Sequence, residues 1–197
     1  MWIDYQRSFF KLSPLQIIAL TAYGEARSEG KVGLQAVINV IHNRRLHRIN
    51  RFGDLDILGE THSPYHSVCL KKWQFSCYNL GDPNRGILLR LSDPATFNAE
   101  LPNNKSLRTA MDICDELRRG VLLEITGGAD HYFVVGIVPW WSKLMVYRTR
   151  IGSHVFYSEI PHISETPQSY KPEETFVPTT RSELLKVVVP TTIAGIL

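Results

Sequence analysis

The stretch from Ser13 to Gly30 constrains the fold of this chain most. Ser13 offers a capping hydroxyl, Pro14 suits the first helical position, and Leu15, Ile18 and Ala22 then recur at helical spacing as one apolar stripe. A helix carrying such a face must be covered by other elements. If it runs on through Gly24, it sets Glu25 on the same inward stripe. Glutamates are rarely buried without a partner, and an apolar setting keeps a carboxyl protonated at higher pH, which is what a general acid needs. The other reading of the same spacing ends the helix at Gly24 and leaves Glu25 paired with Arg27.

A second helix should follow the Ser28-Glu29-Gly30 break, with Leu34, Val37, Ile38 and Ile41 buried and residues 43 to 51 as a basic exit. Residues 52 to 102 hold many Gly, Pro, Asp, Asn and Ser residues between short apolar pieces and read as loops with brief helical turns. A third helix is expected from Lys105 to Arg119, carrying Leu107, Ala110, Met111, Cys114 and Leu117, with Gly120 beyond its end. β-branched and aromatic residues in 131–138 and 155–157, bounded by Gly127-Gly128, Pro139 and Gly152, point to a small hairpin or sheet. Thr166 to Thr180 has the composition of an extended linker, and the apolar stretch from Ser182 to Leu197 is interrupted by Pro190. The expected organisation is an N-terminal segment (1–13), a catalytic domain (14–160), and a linker with an apolar tail (161–197).

Composition narrows the function only coarsely. With 197 residues, 44% of them hydrophobic, the chain can bury a core without metal or disulfide staples. A formal charge of +3 suits anionic partners such as cell-wall polymers, nucleic acid or lipid head groups without choosing among them. Three cysteines make a poor disulfide framework. The first residues lack a basic start and a long apolar run, and no stretch approaches the roughly 18 unbroken apolar residues of a membrane span. The expectation is a protein made inside a cell, without stable membrane insertion; nothing in the sequence fixes its oligomeric state.

Five strings occur in an order that resembles the SleB-like cell-wall hydrolases, the spore cortex-lytic type. They are TAYGEARSEG (21–30), GLQAV to HNR (33–44), WQFSC (73–77), ADHY (129–132) followed by Pro139-Trp140-Trp141, and IGSHVFY (151–157). The resemblance covers residues 14 to 158 and departs from the family's pattern in a longer connection over 45–72 and in Asp130, where a threonine is common. It implies an α+β, mainly helical, lysozyme-like domain with a small β element. It also implies that Glu25 is the acid that protonates the glycosidic oxygen between N-acetylmuramic acid and N-acetylglucosamine. The same group would then deprotonate the muramic C6 hydroxyl as that oxygen attacks C1, leaving a 1,6-anhydromuramoyl end. The implied partner is the peptidoglycan glycan strand, with no cofactor and no metal, and a phage lysis enzyme would fit that role.

Around Glu25 the matching positions suggest a sugar cleft formed by Gly24, Trp73, Gln74, Phe75, Ser76, His131, Tyr132 and His154. On composition alone, 73–76 reads more readily as a surface turn with an aromatic anchor than as a sugar site, while Tyr132 can be an ordinary sheet tyrosine and Gly24 a relaxed helix end. A two-carboxylate hydrolase would take Glu29 or Asp130 as its second group. His62, His66, Cys69 and Cys77, with His131 and His154, are zinc-binding types suited to an amidase, although Pro64 disrupts the helical spacing of His62 and His66. Arg44, Arg45, Arg48 and Arg51 on one helical run leave open a nucleic-acid binder, a role not expected here.

Overall fold

The computed structural model describes residues 2–159; the expected linker and tail lie outside the described residues. The chain opens with α1 (Trp2–Gln6) and a 3-10 turn (Arg7–Lys11). Phe9 and Leu12 enter the main core, and Arg85 Nη2 donates to the Tyr5 carbonyl at 2.8 Å. The N-terminal segment is thus packed against the helical core.

Helix α2 (Pro14–Ala26) begins as its sequence predicts. The Ser13 hydroxyl accepts from the Gln16 N–H, and the Gln16 side chain accepts from the Ser13 N–H, a complete capping box with proline inside it. Its environment differs from the expected stripe. Ile17, Ile18, Ala19, Leu20, Thr21, Ala22, Tyr23, Gly24 and Ala26 are all buried, so α2 is enclosed rather than amphipathic. Helix α3 (Gly30–Phe52), α5 (Pro64–Cys69) and α8 (Lys105–Arg118) surround it.

Helix α3 has two working faces. Leu34, Val37, Ile38 and Ile41 pack toward α2, while Ala36 and Val40 meet Ala129 and Phe156 of the β element. The expected basic exit is not an exit: the helix runs unbroken to Phe52, and Asn43 and Arg44 are buried.

Much of 52–102, expected as loops with brief helical turns, is organised as short helices. It forms α4 (Leu55–Thr61), α5, a 3-10 turn (Ser76–Tyr78), α6 (Arg85–Leu91) and α7 (Pro94–Glu100). Asp54, Ser63 and Asp93 cap α4, α5 and α7 by accepting backbone N–H groups. Helix α8 starts at the Asn104 cap and buries Leu107, Ala110, Ile113, Cys114 and Leu117; Met111, expected on this face, is partly buried at its margin. Gly120 takes the left-handed conformation just past the helix end, φ +70°.

The sheet has three antiparallel strands in the order β1 (His131–Val134), β3 (His154–Ser158), β2 (Val146–Ile151). Strand β1 pairs Tyr132 with Phe156 and Val134 with His154. Strand β2, not anticipated, completes a hairpin with β3 through Gly152, φ +55°. The result is a mainly helical α+β domain of lysozyme-like type with a small sheet laid against the far side of α3. Among the described residues no helix is long and apolar enough to cross a membrane.

Candidate active site

Glu25 sits in the last turn of α2, half-buried, and three donors hold its carboxylate. Ser76 Oγ donates to Oε1 at 3.2 Å and the Cys77 N–H donates to the same oxygen at 2.9 Å. Tyr132, from β1, donates its phenolic hydrogen to Oε2 at 3.0 Å. The side chain is therefore fixed by polar contacts, not enclosed by hydrocarbon as the stripe predicted. The surface pairing with Arg27 does not form: the Arg27 guanidinium bonds Asn84 at 2.6 Å and lies over the Tyr23 ring.

The turn that supplies Ser76 and Cys77 is anchored in the core. Tyr78 shares a 2.8 Å hydrogen bond with Thr21, one turn before Glu25 on α2, and its ring meets Phe9 edge-on. Gly24 explains how closely this turn approaches. A Cβ there would fall 2.8 Å from the Cys77 Cβ and 2.9 Å from its Sγ. Gly24 is thus a packing glycine beneath the acid and makes room for protein, not for substrate. Burial pushes the Cys77 thiol well above its ordinary pKa, and Glu25 beside it acts in the same direction.

An open cleft lies over Glu25. Of the residues expected to form it, Trp73, Gln74, Ser76, Tyr132 and His154 line it. Phe75 turns into the core beneath. His131 faces away, its Nδ1 2.7 Å from Asp130 and its ring against Phe52 and Trp141. Arg44, Asn79, Phe133 and Val134 also line the cleft; the sequence pointed to Arg44 only as part of a basic run and to the other three not at all.

Arg44 is the most consequential of these. It is 5% exposed, donates to the Asp130 carbonyl at 2.7 Å and the Gln74 carbonyl at 3.4 Å, and lies between the Phe52 and Phe75 rings. Burial lowers its pKa, while the nearby carboxylates of Asp130 and Glu25 act against that shift. This buried cation ties the 73–76 wall to the start of β1. Of the rest of that basic run, Arg45 lies over the Tyr65 ring and Arg51 pairs with Glu159.

Tyr132 is packed edge-on against His154, with ring centroids 5.1 Å apart. Burial, with Glu25 alongside, pushes its phenol well above the ordinary range, so it stays protonated as a donor. His154 in turn bonds Glu29 through Nδ1 at 2.9 Å, and Ser153 donates to the same Glu29 oxygen. Asp130 accepts the Glu159 N–H at 3.3 Å besides facing His131. Neither Glu29 nor Asp130 lines the cleft.

The zinc-type residues are dispersed. His62 ends α4 in a left-handed conformation, His66 is in the core, and burial raises the Cys69 thiol to about 12. Among the described residues no three of His, Cys, Asp and Glu are grouped to hold a metal ion.

A helical lysozyme-like domain with a carboxylate at the floor of an open cleft is the frame of a cell-wall-degrading enzyme. The family model described as Cell Wall Hydrolase matches residues 28–157, about two-thirds of the chain, and the chain belongs to this SleB-like family. Its activity is the breakdown of peptidoglycan and its place of action the cell wall. The matched stretch begins three residues beyond Glu25 and contains every other lining residue of the cleft. No curated protein and no solved structure matches the chain.

Proposed function

We propose that the protein cleaves the β-1,4 bond between N-acetylmuramic acid and N-acetylglucosamine as a lytic transglycosylase, with Glu25 as acid and then base. The observation that supports this most is that Glu25 is the sole carboxylate lining the cleft among the described residues. Glu29 and Asp130, the candidates for a second group, are engaged by His154, Ser153 and His131. With one carboxylate the substrate supplies its own nucleophile.

The protonated Glu25 gives its proton to the glycosidic oxygen as the bond from that oxygen to muramic C1 breaks. Positive charge develops on the muramic ring, and the C6 hydroxyl oxygen closes onto C1. The Glu25 carboxylate takes the C6 hydroxyl proton, which restores the acid. The products are a 1,6-anhydromuramoyl end and a free N-acetylglucosamine hydroxyl, with no water consumed.

The surrounding groups have distinct tasks. Tyr132 orients Oε2 through its hydrogen bond, and Ser76 with the Cys77 N–H holds Oε1, so the carboxyl meets the reacting bond in a fixed pose. Trp73 offers a ring face to a sugar, and Gln74 and Asn79 offer amides to its N-acetyl groups.

Mass spectrometry of fragments released from purified peptidoglycan tests the reading. Anhydromuramoyl ends with the wild type, absent with Glu25→Gln, are expected. Reducing ends would instead mean a water-using hydrolase, and freed stem peptides on intact glycan would mean an amidase.

A further inference from the structure

We propose that Trp2, Tyr5 and Leu80, together with the outer side of Trp73, form a second glycan subsite on which the strand occupying the cleft continues, with Lys72 meeting its stem-peptide carboxylates. The proposal rests on the cleft reading above for the identity of the strand.

Trp73 is the wall shared by the cleft and an adjoining groove lined by Trp2, Tyr5, Lys72 and Leu80. The groove is therefore continuous with the cleft across a single indole. Trp73 is 70% exposed and holds a left-handed backbone, φ +67°, an unfavourable conformation for a side chain of this size. Nothing in the core requires that exposure. Trp2 stacks beside it, with ring centroids 6.4 Å apart and planes 24° from parallel. The Trp2 ring is pinned by its indole N–H, which donates to the Leu70 carbonyl at 2.8 Å. Tyr5 is 53% exposed and Leu80 60% exposed, so the floor and rim of the groove are apolar and open to solvent.

Contiguous exposed apolar surface on a soluble domain marks a contact site, and rigid aromatic faces suit the C–H faces of pyranose rings. The Lys72 ammonium lies 5.2 Å over the Trp73 ring, at the same edge. A strand that threads the cleft carries acidic peptides on its lactyl groups, and a cation at the rim complements them. Trp2 and Tyr5 stand on α1, which brings them to the outer side of Trp73.

The test compares cleavage of a tetrasaccharide, as the short substrate, with cleavage of long peptide-bearing glycan strands. For Tyr5→Ala and Trp2→Ala, KM on long strands should rise about tenfold, the loss of roughly one stacking contact at each site, with the tetrasaccharide unaffected. Lys72→Gln should raise KM on peptide-bearing strands and leave peptide-free strands unchanged. Because Trp2 also bonds Leu70, the exposed Tyr5 variant is the control against misfolding. Equal changes on short and long substrates, or none on either, would overturn the subsite. If Glu25→Gln stays fully active while the platform variants still weaken long-strand binding, the cleft reading falls and the subsite stands; if Glu25→Gln is inactive and the platform variants behave as wild type, the reverse holds.

Discussion

The phenol of Tyr132 donates to Oε2 of Glu25 at 3.0 Å across 107 residues of chain. Phe at 132 would keep the ring packing against His154 and Phe156 and remove only this bond. Tyr132→Phe should lower kcat by about tenfold to a hundredfold, the range of a hydrogen bond to a charged group, with KM little changed. Steady-state kinetics on defined glycan fragments checks the split; a rise in KM at constant kcat would assign Tyr132 to sugar binding instead.

The carboxylates should separate cleanly. Glu25→Gln is expected to lose about a thousandfold or more in kcat, while Glu29→Gln and Asp130→Asn stay within about tenfold and give the same product ends. Product analysis of all three variants decides this, and loss of cleavage in Glu29→Gln with its fold intact would point to a second catalytic carboxylate.

Gly24→Ala places a methyl group 2.8 Å from the Cys77 Cβ and 3.0 Å from Leu88. The 76–78 turn must then move, and with it the N–H that holds Oε1. A stability loss of about 1–3 kcal/mol is expected, together with a fall in kcat. Adding Cys77→Gly should restore part of both, which thermal melting and kinetics on the double variant would reveal.

Arg44→Lys keeps the charge but cannot span both the Asp130 and Gln74 carbonyls or fill the space between two phenylalanine rings. Denaturant unfolding should show about 1–3 kcal/mol of lost stability, the cost of a buried acceptor left unpaired.

His66 gives the fold a pH dependence. Burial lowers its pKa from 6.5 to about 4, with the backbone of Leu12 and Phe9 acting weakly in the opposite sense. Since the folded form resists the proton that the unfolded chain accepts, stability is full above pH 6.5 and declines as pH falls toward 4. By pH 5 the loss is about 2 kcal/mol, one and a half units at about 1.4 kcal/mol per unit. His66→Leu should flatten the slope between pH 6.5 and 5 in urea unfolding.

Helix α8 was legible because it carries its periodicity over 14 residues behind a capping side chain, and α2 because its Ser13-Pro14 start opens 13 residues of helix formers. Helices α4 to α7 were not, since six or seven residues make under two turns and show no period. Their caps were visible all the same: Ser63-Pro64 and Asp93-Pro94 are the same start signature that located α2. Strand β2 was hidden by a bulge between Tyr147 and Thr149, which breaks the alternation a strand should show. At the site, polar residues next to aromatics were readable in 73–76 and 132. Arg44 was not, because a buried arginine and a solvated one look alike until the carbonyls it serves, 30 and 86 residues on, are brought to it. His131 misled for the converse reason: it adjoins Tyr132 in sequence, and a strand sends neighbours to opposite faces.

The acid on α2 is complete only when the turn 51 residues later and the strand 107 residues later have both closed on it. During synthesis, then, a nascent chain that has reached the end of α8 carries Glu25 without its Oε2 donor and without the Phe133 and Val134 side of the cleft. On the proposed mechanism, a product terminated before β1 should therefore be inert toward peptidoglycan even if its helices fold.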